Sequence, residues 1–230
     1  MMEFVVQSAF FGAFLSLLAY EIGVLIKRKW NVALCNPLLI AIVLVIAFLS
    51  VFRIDYDTYY QSAKYLSYFL TPATICLAIP LYEKLQMLKD NWKAIFAGIL
   101  AGVLGTLVGV LLIALLFSLN HTQYVTLLPK SITTAIGIGV SEELGGIPTI
   151  TVAVIILSGI FGNMFGEVLC KWFRITNPVA RGVAIGSASH AIGTARAMEL
   201  GAVEGAMSSL SIAVSGLITV VGASVFAQFI

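Results

Sequence analysis

Long apolar stretches separated by short polar connections dominate the pattern of side chains along this chain. A helix of about 20 apolar residues crosses a lipid bilayer. Six stretches approach that length with few or no charges. Because backbone polar groups inside hydrocarbon have to be satisfied within the segment, we predict that all six are helices. The stretches are 4–26, 32–52, 65–82, 94–119, 147–169 and 205–230.

Two further segments are uncharged but rich in glycine, serine and threonine. Residues 131–141 read SITTAIGIGVS, and residues 182–195 read GVAIGSASHAIGTA. Such side chains offer little apolar surface to lipid, so we predict broken or re-entrant helices that line a cavity. The alternative is a small-residue face at which helices pack closely. The proline-containing stretch 71–80 leaves the same two alternatives, because proline kinks or ends a helix.

The overall composition supports a membrane location. Hydrophobic residues make up 60% of the 230 residues and charged residues only 10%, whereas soluble domains are about a quarter charged. We therefore predict an all-α, polytopic transmembrane helical bundle formed by a single domain, 1–230. A net charge of +2 does not favour nucleic acid as a partner. The sequence has no P-loop, HExxH or GxSxG motif, so we predict no enzyme activity, no metal site and no cofactor.

The basic residues predict how the chain is oriented in the membrane. Lysine and arginine concentrate in the cytoplasmic connections of membrane proteins. The clusters 27–29 and 84–93 follow the first and third stretches, which predicts an N-terminus outside the cell. The later basic cluster, 171–181, reaches the same side only if 122–143 enters and leaves the membrane on one side. Charge therefore favours a re-entrant segment at 122–143.

A short internal similarity favours a different topology. The order Lys-Trp then Asn-Pro, at 29–37, recurs at 171–178. Duplicated halves are common in transporters and are often inverted, which here suggests halves 1–120 and 121–230. Inverted halves would put the two Lys-Trp pairs on opposite sides, against the charge rule. Crossing and re-entry of 122–143 therefore both stay open.

Three ionisable residues stand out in the polar segments, where such residues are costly and usually functional. Glu142 and Glu143 lie beside a Gly-Gly-x-Pro run, and repulsion between them would favour protonation of one. Such a carboxyl is a natural proton carrier; the alternative is a solvated loop pair. Histidine can change its charge near neutral pH, and on a continuous helix His190 shares a face with Ser187 and Thr194. The alternative is a structural histidine.

Arg196 and Lys130 add positive charge beside the same two segments. A guanidinium binds a carboxylate through two parallel hydrogen bonds, so Arg196 is a candidate for substrate binding. An ion pair with Glu199 is the alternative. Lys130 either anchors the chain at the membrane–water interface or attracts anions. Free N–H groups at the ends of broken helices also attract anions, so these features together predict a small anionic solute.

Several runs of sequence resemble the LrgB/CidB family of membrane proteins. They are LPKSITT at 128–134, VSEELGGIP at 140–148, ARGVAIGSASHAIGTARA at 180–197, NPLLI at 36–40, PAT at 72–74 and PLY at 80–82. The resemblance covers essentially the whole chain, and its SHAIGTARA run is long and specific. It departs at 135–137, where the family pattern has a proline, so a helix break there would depend on Gly137 and Gly139.

This resemblance implies two functions. Family members are named antiholin-like and act with a small holin-like membrane protein of the LrgA/CidA kind on murein hydrolase export and lysis. Plastid relatives look like glycolate/glycerate carriers, and bacterial relatives are linked to pyruvate or similar short acids. The implied location is the bacterial cytoplasmic (inner) membrane, and we expect a homo-oligomer in the lipid bilayer. The polar residues favour transport of a small monocarboxylate, with protons as the candidate coupling ion.

The predicted substrate site combines both polar segments with residues from the first half of the chain. The candidates for substrate binding are Asn36, Thr71, Thr74, Thr133, Thr134, Ser189, His190, Thr194 and Arg196. Glu142 and His190 are the candidates for proton coupling. A third alternative is an interaction-only subunit that stabilises its partner, whose polar residues would face helix contacts instead of a cavity.

Overall fold

A computed structural model describes residues 8–30, 35–76 and 78–230, and these residues form helices joined by short connections. No strand occurs within these ranges, which confirms the all-α prediction for them. The helices are α1 (Phe11–Trp30), α2 (Pro37–Phe52), α3 (Tyr56–Ala63), α4 (Leu70–Cys76), α5 (Ala78–Glu83), α6 (Leu85–Leu116), α7 (His121–Leu127), α8 (Thr134–Glu143), α9 (Pro148–Trp172), α10 (Pro178–Leu200) and α11 (Ala202–Phe226), with 3₁₀ turns at Lys64–Phe69 and Ala227–Phe229.

Three helices in the described part of the chain are long and apolar enough to cross a membrane. They are α6, α9, and α11 together with the 3₁₀ turn that follows it. Helix α2 is apolar but has only 16 residues, and α1 carries three basic residues in its last turn. Six full spans are therefore not confirmed.

The stretch 65–82 does not form one membrane-length helix. Its described residues divide into a 3₁₀ turn and the two short helices α4 and α5. Pro72 and Pro80 each lie in the first turn of one of these helices, where proline is tolerated because its missing N–H has no intrahelical partner. The prolines therefore begin short helices here and do not kink a long one.

The chain divides into two compact units after Cys76. In the first unit, α1 packs against α3. The Gly12 N–H of α1 donates to the Ser62 hydroxyl of α3 (2.7 Å). The hydroxyls of Ser16 and Tyr59 lie 2.7 Å apart one turn along. The predicted repeat of halves 1–120 and 121–230 is a different division and stays a prediction.

The second unit is built around the closely packed helices α10 and α11. Glycines of α10 face the backbone of α11: a Cβ added at Gly182 would lie 3.0 Å from the Cα of Glu204, and one added at Gly186 would lie 2.7 Å from the Cα of Ser208. Such close backbone approach is typical of small-residue packing between membrane helices. The packing alternative therefore holds for the first half of the second Gly/Ser/Thr segment.

Helix α6 supplies more of the buried apolar core of this unit than any other described helix. Ile99, Leu107 and Ala114 are fully buried on one of its faces, and Met207 and Ala223 of α11 belong to the same cluster. The short helix α7 joins this cluster through a buried tyrosine at position 124, whose hydroxyl donates to the carbonyl of residue 226 (3.0 Å). The rest of α6 exposes large apolar side chains, as a lipid-facing helix does.

The segment 122–143 forms two short helices, α7 and α8, joined by a turn. They have 7 and 10 residues, so the longer one spans about 15 Å and cannot alone cross a hydrocarbon core of about 30 Å. Helix α8 is continuous through Gly137 and Gly139, so neither glycine breaks it. Re-entry and the outside N-terminus stay predictions.

The two Asn-Pro motifs form equivalent helix starts. Asn36 caps α2 with φ −68° and ψ 123°, and Asn177 caps α10 with φ −68° and ψ 124°. In each case the side-chain oxygen accepts two N–H groups, at 2.8 and 3.2 Å for Asn36 and at 2.9 and 3.2 Å for Asn177. The prolines at the first helical position fit this geometry. The recurring motif is therefore a shared capping device.

Replacing the exposed cap of α10 measures what this device contributes. Asn177→Ala should lower the free energy of unfolding by about 1 kcal/mol, because two N–H groups at the helix start lose their acceptor. Asn177→Asp should retain most of this contribution to the free energy of unfolding. Thr176→Ala, one residue away on the same exposed turn, is the control and should change little. Thermal unfolding of the purified protein in detergent checks this, and equal melting of all variants would contradict it.

Candidate functional site

Helix α10 is interrupted at His190. This residue has φ 40° and ψ −141°, although helical residues lie on both sides. The other described non-glycine residues with positive φ are Arg53, Ser118 and Arg174, each of which follows the end of a helix. A positive φ inside a helix is strained for a residue with a side chain and persists only where the surroundings enforce it. The prediction of a broken helix in 182–195 is therefore confirmed.

Side chains of α10 at this break bond to its own backbone and to the neighbouring helices. The His190 imidazole is buried, and its Nε2 donates to the carbonyl of Ile155 on α9 (3.0 Å). The Thr194 hydroxyl lies 2.9 Å from the carbonyl of His190 and 2.7 Å from the hydroxyl of Ser208 on α11. The break is thus held from α9 on one side and from α11 on the other.

Two glycines of α9 make room for the broken segment. A Cβ added at Gly159 would lie 2.7 Å from the His190 ring, and one added at Gly162 would overlap the Ser189 hydroxyl. One residue further along α9, the Asn163 amide donates to the carbonyl of Ile192 (2.8 Å). Helix α9 therefore accommodates the broken segment because two of its residues are glycines and because one of its amides bonds to it.

The predicted shared face of Ser187, His190 and Thr194 is wrong. Ser187 faces α6, where a Cβ added at Gly102 would lie 2.8 Å from its hydroxyl. His190 faces α9, and Thr194 faces α11. The spacing rule assumes a continuous helix, and the left-handed backbone at His190 turns the residues after it to another side.

A cleft of about 490 Å³ runs beside the break, between α9, α10 and the turn that precedes α8. Its polar lining comes from Lys130, Ser158 and Ser189, and its apolar lining includes Phe165 and Trp172. The Lys130 amine donates to the Ser131 hydroxyl (3.2 Å). The cleft thus combines one cation and two hydroxyls with an apolar wall.

Arg196 is paired with carboxylates of the chain. Its guanidinium contacts Glu199 on α10 and Glu167 on α9, both at 2.5 Å. Glu167 also pairs with Lys171 (2.7 Å). The pair with Glu199 agrees with the alternative in which Arg196 forms an ion pair within the chain. The pair with Glu167 was not predicted. A substrate role for Arg196 would require at least one of these pairs to open, and it stays a prediction.

Hydrogen bonds made by hydroxyl groups, and not ion pairs, hold the first Gly/Ser/Thr segment, 131–141, in place. The buried Thr151 hydroxyl donates to the carbonyl of Thr126 (2.9 Å) and lies 2.7 Å from the Ser141 hydroxyl. These contacts tie α7, α8 and α9 together. Glu142 is exposed in the last turn of α8, and Thr133 is the residue that precedes this helix. Neither Glu142 nor Thr133 makes a hydrogen bond or ion pair with His190 in the described structure.

The remaining candidates lie in different places. Thr134 is the half-buried first residue of α8. Asn36 is buried at the start of α2, in the first unit. Thr71 and Thr74 belong to α4 of the same unit, and their side chains lie outside the described part. The described structure thus gathers Ser189, His190 and Thr194 around the break, and participation of the others stays a prediction.

Comparison with known proteins decides the family. Residues 16–229 match the model of the LrgB-like family. This chain belongs to the LrgB-like family.

Named relatives cover almost the whole LrgB-like chain. The antiholin-like protein LrgB of Bacillus mycoides (strain KBAB4) is 40% identical over 97% of this chain and 98% of the relative. The antiholin-like proteins LrgB of Bacillus cereus (strain B4264) and Bacillus anthracis (strain CDC 684 / NRRL 3495) are each 39% identical over the same shares. No solved structure matches this chain. The predicted family resemblance is therefore confirmed, and membership agrees with the three membrane-length helices.

Several residues that shape the site of this LrgB-like chain escaped the sequence analysis. Gly159 and Gly162 lie at helical spacing within an apolar stretch, and such spacing signals a close-packing face. Glu167 is an ionisable residue inside the same stretch, which by itself signals a functional or paired group. Asn163 carried no comparable signal.

Adding a methyl group at Gly162 tests the fit between α9 and the break. Gly162→Ala should lower the free energy of unfolding by about 1–3 kcal/mol, since its Cβ would overlap Ser189. Gly105→Ala is the matched control, because nothing lies within 4 Å of a Cβ at that helical position. The control should be neutral or stabilising by up to about 1 kcal/mol. Denaturation in detergent compares them, and equal stability would show that α9 and α10 do not pack as described.

Proposed function

We propose that this LrgB-like chain is an antiholin-like membrane protein that modulates murein hydrolase export and lysis with a small holin-like partner. The observation that carries this proposal is similarity over 97% of the chain to proteins named antiholin-like protein LrgB. Three membrane-length helices suit a protein that acts inside the bilayer beside another membrane protein. Exposed apolar side chains on α6 and α9 leave helix faces available to lipid and to a partner.

A second candidate function is transport of small monocarboxylates such as glycolate, glycerate or pyruvate. The specific observation in its favour is the break at buried His190, beside a cleft that contains Lys130. Broken helices in transporters carry substrate sites near the membrane midplane, and strained backbone clusters at functional sites. A subunit that acts only through its outer surface has no need of this arrangement. Protons are the candidate coupling ion, with His190 and Glu142 as candidate carriers.

Lysis measurements test the antiholin-like function. In a bacterial host that lacks its own pair, the holin-like partner should release murein hydrolase activity and promote lysis when expressed alone. Co-expression of this chain should lower the released activity and delay lysis. His190→Ala should behave like wild type at equal membrane abundance if modulation does not depend on solute movement. Unchanged hydrolase release on co-expression would contradict the antiholin-like function.

Uptake into proteoliposomes tests the carrier function. The wild-type protein should give saturable uptake of labelled glycolate. His190→Gly should cut uptake by about tenfold or more, because it removes the candidate proton carrier while glycine tolerates the positive φ at the break. His121→Ala removes the other histidine, exposed at the start of α7, and should leave uptake unchanged. Absence of saturable uptake, with and without the partner, would rule out the carrier function and leave the antiholin-like proposal untouched.

A further inference from the structure

Lys130 differs from the half-buried arginines of the second unit. Arg196 pairs with Glu167 and Glu199, and Arg181 pairs with the buried Glu204 (3.6 Å). Within the described residues, Lys130 has no carboxylate within ion-pair distance, and its only side-chain partner is the Ser131 hydroxyl. A partly buried ammonium without a counter-charge is unfavourable and is seldom retained without a role.

The position of Lys130 places this charge beside the middle of α9. The preceding residue, Pro129, and Ile155 of α9 both approach Gly137, where a Cβ would lie 3.6 Å from the Pro129 carbonyl. Ile155 is one turn before Ser158, which lines the same cleft as Lys130. The cationic end of the cleft therefore lies away from both ends of the helix.

One face of α9 forms the wall of the cleft from there to the end of the helix. The lining includes Ser158, Phe161, Phe165 and Trp172, at spacings of three, four and seven residues. Ser158 and Trp172 are about 21 Å apart along a helix. Trp172 is the last residue of α9, and tryptophan is enriched at membrane–water interfaces. The cleft thus extends from the expected interface to the level of Lys130.

We propose that Lys130 holds the carboxylate of a small organic acid in this cleft, with the hydroxyls of Ser158 and Ser189 as its hydrogen-bonding neighbours. The single cation matches a monoanion, and two hydroxyls beside it suit a 2-hydroxy or 2-oxo acid. The rings of Phe161 and Phe165, stacked with centroids 6.1 Å apart, form an apolar wall next to these groups. This inference rests on the carrier function and moves the principal charge of its site from Arg196 to Lys130.

Ser189 connects such a site to the break in α10. It lines the cleft, and it directly precedes His190. A ligand that hydrogen-bonds to Ser189 therefore contacts the residue adjoining the strained backbone. Occupancy at Lys130 would in this way act on the segment held by Ile155 and Thr194.

A tryptophan beside Ser158 provides a direct binding signal. The chain has three tryptophans, and replacing each of them with phenylalanine in a Phe161→Trp variant leaves position 161 of the cleft as the single reporter. In nanodiscs of zwitterionic lipid, glycolate should change its fluorescence saturably, whereas the neutral analogue glycolamide should not. Chloride, inorganic phosphate and added anionic lipid form the other arms. A stronger response to any of these three would identify a different anion and overturn the organic-acid assignment.

Variants of Lys130 decide the assignment. Lys130→Met should weaken glycolate binding by about tenfold or more, while Lys130→Arg should stay within about threefold. Lys89→Met removes an exposed lysine of α6 and should leave affinity unchanged. Equal affinity in Lys130→Met and wild type would overturn the proposal. Should Lys130→Met not fold, Lys130→Gln removes the same charge with a polar side chain and carries the same expectation.

The failure of this site and the failure of the carrier function are distinguishable. Lys130-dependent binding without glycolate uptake would rule out the carrier and leave the site. Uptake that is the same in Lys130→Met as in wild type would leave the carrier and rule out the site. Loss of both binding and uptake in Lys130→Met, with Lys130→Arg active, is the expected result.

Discussion

The hydrogen bond from the His190 imidazole to the Ile155 carbonyl is the constraint on which the rest of the site depends. A strained backbone conformation costs about 1–3 kcal/mol and persists only where its surroundings enforce it. Here the surroundings are a buried ring against Gly159 and a threonine hydroxyl that binds the carbonyl at the break. Without the imidazole, continuing the helix through residue 190 would relieve the strain.

The second requirement is the absence of side chains at the contacts between helices. Gly159 and Gly162 admit the broken segment to α9, while Gly182 and Gly186 bring α10 against the backbone of α11. Close approach favours association in lipid, where apolar burial provides little driving force between helices. It also brings hydroxyls together inside the second unit, as for Thr194 and Ser208. The same small residues therefore serve packing and leave a polar interior.

The sequence predicted the class of fold better than the arrangement of the site. Apolar length identified the long helices, and the Gly/Ser/Thr content around His190 indicated a break. It did not predict how the residues on either side of the break are oriented, because helical spacing holds only while the helix continues. The Arg196–Glu167 pair joins residues 29 apart in sequence, and no local pattern specifies such a contact. Likewise, 65–82 had the length of a span, but prolines began short helices within it.

Three half-buried basic residues of the second unit differ in their partners, with different consequences for function. Arg181 and Arg196 are matched by carboxylates of the chain, so an incoming anion would have to displace an existing partner. Lys130 has only a hydroxyl partner within the described structure, so an anion there adds an interaction without breaking an ion pair. Desolvation penalises the unpaired ammonium, and a carboxylate would compensate for that penalty. Electrostatics therefore favours anion binding at the cleft over anion binding at the arginine that sequence composition singled out.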